Sequence, residues 1–83
     1  MTREQFFEKY QAVLEEEEVL LADEFDEALL GLDMISHRAI YDSNKMIKIL
    51  MEKEEMNLND AIEYLEYNTW NTYVGDKTPI FLY

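Results

Sequence analysis

The stretch ALLGLDMISHRAIY, residues 28–41, decides the fold of this chain. It contains two short strand-like runs, Ala28–Met34 and Arg38–Tyr41, and Gly31 interrupts the first of them. Residues 35–37, between the runs, are interpreted as a turn. Two runs joined so closely predict a β-hairpin.

The residues after the hairpin predict a buried helix from about Asn44 to Glu55. Its N-terminal cap is expected among Asp42, Ser43 and Asn44, which are residue types that accept hydrogen bonds from the first backbone N–H groups of a helix. The helix is apolar around much of its circumference, so we expect it to be largely covered by other elements.

A further helix is predicted from about Leu58 to Tyr73, because Asn57 and Asp60 form a helix-start signal. Gly75 and Pro79 are expected to prevent its continuation. The final residues, 80–83, have the composition of a strand that pairs with the hairpin as a third strand.

The N-terminal part predicts a helix that begins at a capping box formed by Thr2 and Gln5. If this helix continued regularly, Glu17 would lie in the middle of its apolar stripe, where an unpaired carboxylate is costly. We therefore expect a break or a short second turn near the glutamates, with residues 19–21 packing separately. A continuous helix to about Asp23 is the alternative.

The predicted order is helix, strand, strand, helix, helix, strand. It indicates one α+β domain over residues 1–83, in which helices cover a small three-stranded antiparallel sheet.

Composition excludes several classes of function. The chain has no cysteine, so disulfides and thiolate chemistry are excluded, and no apolar run reaches membrane-spanning length. Nineteen acidic against seven basic residues give a net charge of −12. This charge disfavours direct binding to nucleic acid or anionic membranes and favours association with a basic protein surface. We expect a soluble, cytoplasmic protein.

Nine acidic residues lie between Lys9 and Arg38 without a single base among them. They lack the rhythm of a calcium loop and the Glu-x-x-His pairs of a two-metal site, so no metal site is expected. The simplest interpretation is a solvated surface. The sharper one is mimicry of the phosphates of a DNA strand, which are spaced about 3.4 Å along the helix axis. These residues are Glu15, Glu16, Glu17, Glu18, Asp23, Glu24, Asp26, Glu27 and Asp33.

The last predicted helix carries two competing apolar stripes. One contains Leu58, Ala61, Ile62, Leu65, Thr69 and Tyr73, and the other contains Tyr64, Tyr67, Trp70 and Val74. In one interpretation, the helix is covered by other elements on both sides, or it breaks near Asn68 and turns Trp70 inward. In the other, the second stripe is exposed. An exposed patch of Tyr64, Tyr67 and Trp70 would serve as a protein interface or as a homodimer contact.

Nothing in the sequence indicates catalysis or a cofactor. His37 is the sole histidine and is expected in a surface turn, and no glycine pattern suits phosphate binding. Arg38 and Lys45 are interpreted as offsetting nearby carboxylates, with anion binding near a helix start as the alternative.

Three stretches together resemble a group of small proteins encoded by tailed phages and prophages: FDEALLGLD from Phe25, RAIYDSNKMIKILME from Arg38, and AIEYLEYNTWNTYVGDKTPIF from Ala61. The resemblance covers about two thirds of the chain and carries no catalytic signature. It implies a phage product that acts inside a bacterial cell.

These observations predict a non-enzymatic, acidic protein-binding module. Its acidic residues, Glu15–Glu18, Asp23, Glu24, Asp26 and Glu27, would steer it to a basic surface on a host protein, and Tyr64, Tyr67 and Trp70 would hold the complex. The sharper hypothesis is a nucleic-acid mimic that inhibits a host DNA- or RNA-binding protein of defence or regulation. The alternative is a small structural or homo-oligomeric protein without mimicry.

Overall fold

The computed structural model describes residues 1–83 and has an α+β architecture. Four α-helices and three strands form the regular part of the chain. In chain order these are α1 (Arg3–Lys9), α2 (Gln11–Leu14), β1 (Leu29–Asp33), β2 (Arg38–Asp42), α3 (Ser43–Lys53), α4 (Leu58–Leu65) and β3 (Ile80–Leu82). A 3₁₀ turn, Asp26–Ala28, precedes β1, and a π-helical segment, Glu66–Trp70, follows α4.

The sheet is mixed, so the prediction of a purely antiparallel sheet is wrong. Its strand order is β1-β2-β3; β1 is antiparallel to β2, as the hairpin predicts, but β3 is parallel to β2. The reason is the long connection through α3, α4 and the loop 71–79, which forms a helical crossover of the kind that parallel neighbours require. Ile40 pairs with Ile80, and Tyr41 pairs with Phe81.

The hairpin forms where the sequence predicts it, with residues 34–37 as the turn. A bulge after Leu29 leaves Leu30 without a partner on β2, and Leu30 is half exposed. Gly31 is needed here because a Cβ atom at this position would lie 2.8 Å from the hydroxyl of Tyr10. Tyr10 therefore packs directly against the strand backbone.

The N-terminal helix breaks before the glutamates, which confirms the interpretation of Glu17. The capping box of Thr2 and Gln5 starts α1, and α2 ends at Leu14. The chain then continues without helix or strand until the 3₁₀ turn. Val19 and Leu21 pack against the core from this irregular segment.

The helix α3 begins with Asp42 as its cap, since the side chain of Asp42 accepts a hydrogen bond from the backbone N–H of Lys45. Its residues Met46, Ile49 and Leu50 are buried. The predicted burial of this helix is thus confirmed for the face that contacts α4, β2 and the 3₁₀ turn.

The last helix is shorter than predicted. Regular α-helix ends at Leu65, and the π-helical segment ends at Trp70 rather than Tyr73. Ala61 and Leu65 are buried as expected, but Leu58 and Tyr73 are exposed. The π segment shifts the register of side chains around the axis, and Trp70 packs against the core.

Twelve buried side chains form one core, and Tyr41 is its central polar member. The core consists of Phe6, Phe25, Ala28, Leu29, Leu32, Ala39, Tyr41, Met46, Ile49, Leu50, Ala61 and Leu65. The hydroxyl of Tyr41 accepts a hydrogen bond of 2.8 Å from the backbone N–H of Ala22. Burial raises the pKa of Tyr41, so the hydroxyl stays protonated. Tyr41 thereby ties the irregular segment to the central strand.

We predict that Tyr41→Phe lowers the free energy of unfolding by about 1–2 kcal/mol, because it leaves the N–H of Ala22 without its partner. Urea unfolding followed by circular dichroism measures this loss. Tyr67→Phe is the matched control, because Tyr67 is 80% exposed and removal of its hydroxyl should change the stability by less than about 0.5 kcal/mol. Equal effects of the two substitutions would contradict the role of Tyr41.

Candidate functional site

Three glutamates of the irregular segment point into solvent without a basic partner. We call residues 15–18 the acidic segment. Glu15, Glu16 and Glu18 are exposed, and none of them lies within 4.0 Å of a basic group. The backbone N–H groups of Glu15, Glu16 and Glu17 donate to Gln11 and Val13, so the first residues of the segment continue the turn that ends α2. Glu15, Glu16 and Glu18 thus form a cluster of carboxylates without ion pairs on either side of Glu17.

Glu17 differs from its neighbours because it joins two distant loops. Its carboxylate lies 3.3 Å from Nζ of Lys77 and 3.5 Å from Nδ1 of His37. The hydrogen bond from Lys77 is the main reason why the pKa of Glu17 is lowered. Lys77 also donates to the carbonyl of Ser36. Glu17 thus connects the acidic segment to the hairpin turn and to the loop 71–79.

The acidic residues nearer to β1 are largely neutralised. Arg3 forms ion pairs with Asp23 at 3.0 Å and with Asp26 at 2.8 Å, and the hydrogen bond to Asp26 is the main cause of the raised pKa of Arg3. Lys53 pairs with Glu27 at 2.6 Å and lowers the pKa of Glu27. Only Glu24 of this group is exposed and unpaired.

The carboxylate of Asp33 is hydrogen-bonded within the hairpin turn. Its carboxylate accepts hydrogen bonds from the hydroxyl of Ser36 and from the backbone N–H groups of Ile35 and Ser36, and these bonds lower its pKa. The nine acidic residues therefore do not form the continuous unpaired surface that the sequence predicts. Basic groups from other parts of the chain, which sequence spacing does not reveal, pair with four of them.

A groove of about 300 Å³ lies beside the acidic segment. Leu20, Leu21 and Ala22 form one wall and follow the glutamates after Val19 in the chain. The rest of the lining comes from the π-helical segment, the loop 71–79 and β3, and includes Asn68, Thr69, Thr72, Val74, Thr78, Pro79 and Phe81. Tyr67 and Tyr73, next to wall residues in sequence, are 80% and 76% exposed.

The predicted aromatic patch is divided in the structure. Tyr67 is strongly exposed near the groove, and Tyr64 lies in a separate shallow depression with Met56, Asp60 and Glu63. Trp70 is half-buried against the core instead of sharing a surface with the two tyrosines. Tyr73, which the sequence pattern places on the buried face of a longer helix, is exposed because the helical segment ends at Trp70.

A larger cavity of about 720 Å³ opens on the other side of the segment Thr78–Phe81. Ile47, Ile62 and Trp70 contribute apolar surface, while Arg38, Ser43 and Asn44 contribute polar groups. Arg38 has no carboxylate within ion-pair distance, and its Nε donates to the carbonyl of Thr78. Its charge is still a minor cause of the lowered pKa of Asp33, and Lys45 acts in the same way on the pKa of Glu27, as the sequence interpretation expects.

Other kinds of site have little geometric basis. No group of three or more His, Asp or Glu side chains is arranged to hold a metal ion. The hydroxyl of Ser36 donates to Asp33 and not to His37, so these residues do not form a nucleophile–base pair. No helix combines the length and the apolar character required to cross a membrane.

Comparison with known proteins gives no family assignment. No protein-family model matches the chain, and no curated protein or solved structure matches it significantly.

We predict that Lys77→Met raises the pKa of Glu17 toward its ordinary value, because the main hydrogen bond to the carboxylate is lost. An NMR titration of the side-chain carboxyl carbon measures this change. Lys48→Met removes an exposed lysine from α3 that has no ion pair and serves as the charge-matched control. A pKa of Glu17 that stays unchanged in Lys77→Met would contradict the contact.

The sign of the pH dependence follows from the lowered pKa of Glu17. The contact stabilises the fold above the ordinary carboxyl pKa of about 4, and this stabilisation is lost as the pH falls through the lowered pKa. Lys77→Met should therefore lose less stability on acidification than the unmodified chain.

Proposed function

We propose that the chain is a protein-binding module of phage type that acts in the cytoplasm of a bacterial host. Its partner would be a nucleic-acid-binding protein of host defence or regulation, whose basic surface meets the acidic segment in place of nucleic acid. One observation carries this proposal: three unpaired carboxylates, Glu15, Glu16 and Glu18, adjoin a groove that is flanked by exposed aromatic residues.

The charge of the segment supports attraction to a cationic partner. The chain carries −12, and only Glu17, Asp23, Asp26 and Glu27 of its acidic residues form ion pairs. The remaining field attracts basic surfaces, accelerates association with them and repels nucleic acid itself. Lys77 is engaged by Glu17 and does not pair with the other three glutamates of the acidic segment.

The groove supports the second half of the proposal, which is apolar contact. Electrostatic attraction between exposed charges is screened at physiological salt and by itself gives weak complexes. Val74 lines the groove and is half exposed, and the exposed residues Tyr67 and Tyr73 adjoin groove-lining residues in the sequence. Tyrosine contributes large contact areas at low entropic cost, which makes these residues suitable anchors.

We predict that Glu15→Lys, Glu16→Lys and Glu18→Lys together weaken partner binding by about tenfold or more. The tagged chain is incubated with bacterial lysate, and retained proteins are eluted between about 50 and 500 mM salt, a range over which exposed charges become screened. The matched control reverses Glu52, Glu54 and Glu55, three exposed acidic residues at the end of α3, with the same change in net charge. It should retain binding.

Duplex DNA added to the bound chain tests mimicry separately. Release of the partner by DNA, together with its loss at high salt, is the expected result. A partner that stays bound when DNA is added, and that binds equally well to the variant with the reversed acidic segment, would refute the proposal. It would favour the alternative of an interaction protein without mimicry.

We further predict that Tyr67→Ala weakens the same complex by about tenfold, since truncation of an interface tyrosine removes anchoring contact. The matched control is Leu58→Ala, which truncates a half-exposed apolar residue at the start of α4. Affinity for the retained partner is measured by surface plasmon resonance. Sedimentation of the free chain shows whether Tyr67 instead holds two copies together, in which case Tyr67→Ala would change the mass and not the partner affinity.

A further inference from the structure

The cavity of about 720 Å³ is large enough to enclose a small organic molecule. It lies between the N-terminal end of α3, the helical segment from α4 to Trp70, and the residues that lead into β3. Most of its wall is apolar, including Ile47, Ile62, Trp70, Ile80 and Phe81. Its polar groups include Arg38, at the start of β2, and Ser43 and Asn44, at the start of α3.

Arg38 is the charged member of this cavity. Its Nε donates to the carbonyl of Thr78, which fixes the guanidinium against the cavity wall. No carboxylate lies within 4.0 Å of it, although the chain contains nineteen acidic residues. Asp33, its partner across the hairpin, is held by Ser36 instead. The terminal nitrogens of Arg38 remain available to an anion.

Ser43 and Asn44 contribute polar lining at the start of α3, at the opposite end of β2 from Arg38. Arg38 is the one charged side chain among the residues that line the cavity, so it determines where an anionic group would bind.

Trp70 contributes its apolar ring surface to the wall. Its indole N–H is buried without a hydrogen-bond partner and is not accessible to solvent, so it does not face the open cavity. An apolar wall with a charged group that fixes the orientation of a ligand is typical of small-molecule sites.

We propose that this cavity binds a small amphipathic carboxylic acid, with its carboxylate at Arg38 and its apolar body against Ile47, Ile62 and Trp70. One guanidinium matches one carboxylate. The net charge of −12 disfavours anions of higher charge, which excludes nucleotides and other polyphosphates as good ligands. This site is separate from the acidic segment and does not depend on the protein partner proposed above.

The unmodified chain provides the first test, with 4-phenylbutyrate and 4-phenylbutan-1-ol as probes. The two molecules share the same apolar body and differ in the carboxylate. Trp70 is the sole tryptophan, so its fluorescence reports binding directly, and calorimetry gives the affinity. We expect the carboxylate to bind about tenfold more tightly than the alcohol, as one charge-assisted hydrogen-bonded contact provides. Equal affinities, or no binding of either probe at millimolar concentration, would overturn the proposal.

Two variants test whether Arg38 causes the preference for the carboxylate probe over the alcohol. Arg38→Met retains an apolar side chain of similar length and should bring the affinity ratio of the two probes close to one. Lys48→Met removes the same charge from an exposed position of α3 that does not line the cavity, and should leave the ratio unchanged. If the affinity ratio of the two probes fell to one in both variants, the net charge of the chain would be its cause, and the proposed site would be refuted. If Arg38→Met does not fold, as judged by circular dichroism, Arg38→Gln replaces it and should likewise reduce the ratio.

Discussion

The central strand β2, the parallel strand β3 and the irregular segment before β1 meet at the side chain of Tyr41. It is fully buried in the central strand, its ring lies 5.9 Å from that of Phe81 on β3, and its hydroxyl binds the backbone of Ala22. A sheet of three short strands provides little core by itself. The aromatic contact secures the parallel strand, and the hydrogen bond secures a segment that has no strand or helix of its own. Both proposed binding surfaces depend on this arrangement, since β3 borders the cavity and Ala22 lines the groove.

The few basic residues act at junctions between elements and leave most of the acidic charge unpaired. Arg3 connects α1 to the residues around the 3₁₀ turn, Lys53 connects the end of α3 to Glu27, and Lys77 connects the loop 71–79 to Glu17. Exposed ion pairs contribute little to stability. Their structural effect here is to fix where irregular segments lie. The exposed carboxylates of the acidic segment are thereby held beside a groove, while the apolar core supports the fold.

The sequence was sufficient for features that depend on local chemistry. The capping box at Thr2, the cap at Asp42, the hairpin and the helix break before Glu17 all follow from neighbouring residues, and the structure confirms them. Features that depend on distant residues were not predictable. The parallel orientation of β3 follows from the path of the whole crossover, and the partners of Glu17 and Glu27 lie sixty and twenty-six positions away in the chain. The cavity was not predictable because residues far apart in the chain, such as Arg38, Ile62 and Phe81, form its lining.

The groove and the cavity share one thin wall, and this limits how the two surfaces can influence each other. Thr78, Pro79 and Phe81 line both. Arg38 fixes this wall from the cavity side through the carbonyl of Thr78, whereas Glu17 contacts Lys77 from the side of the acidic segment. A molecule in the cavity that displaces the wall would change the groove that a protein partner meets. By thermodynamic linkage, the partner would then change the affinity of the cavity by the same factor. If the wall is rigid, the two binding events are independent, so the segment 77–81 determines whether this protein has one function or two coupled ones.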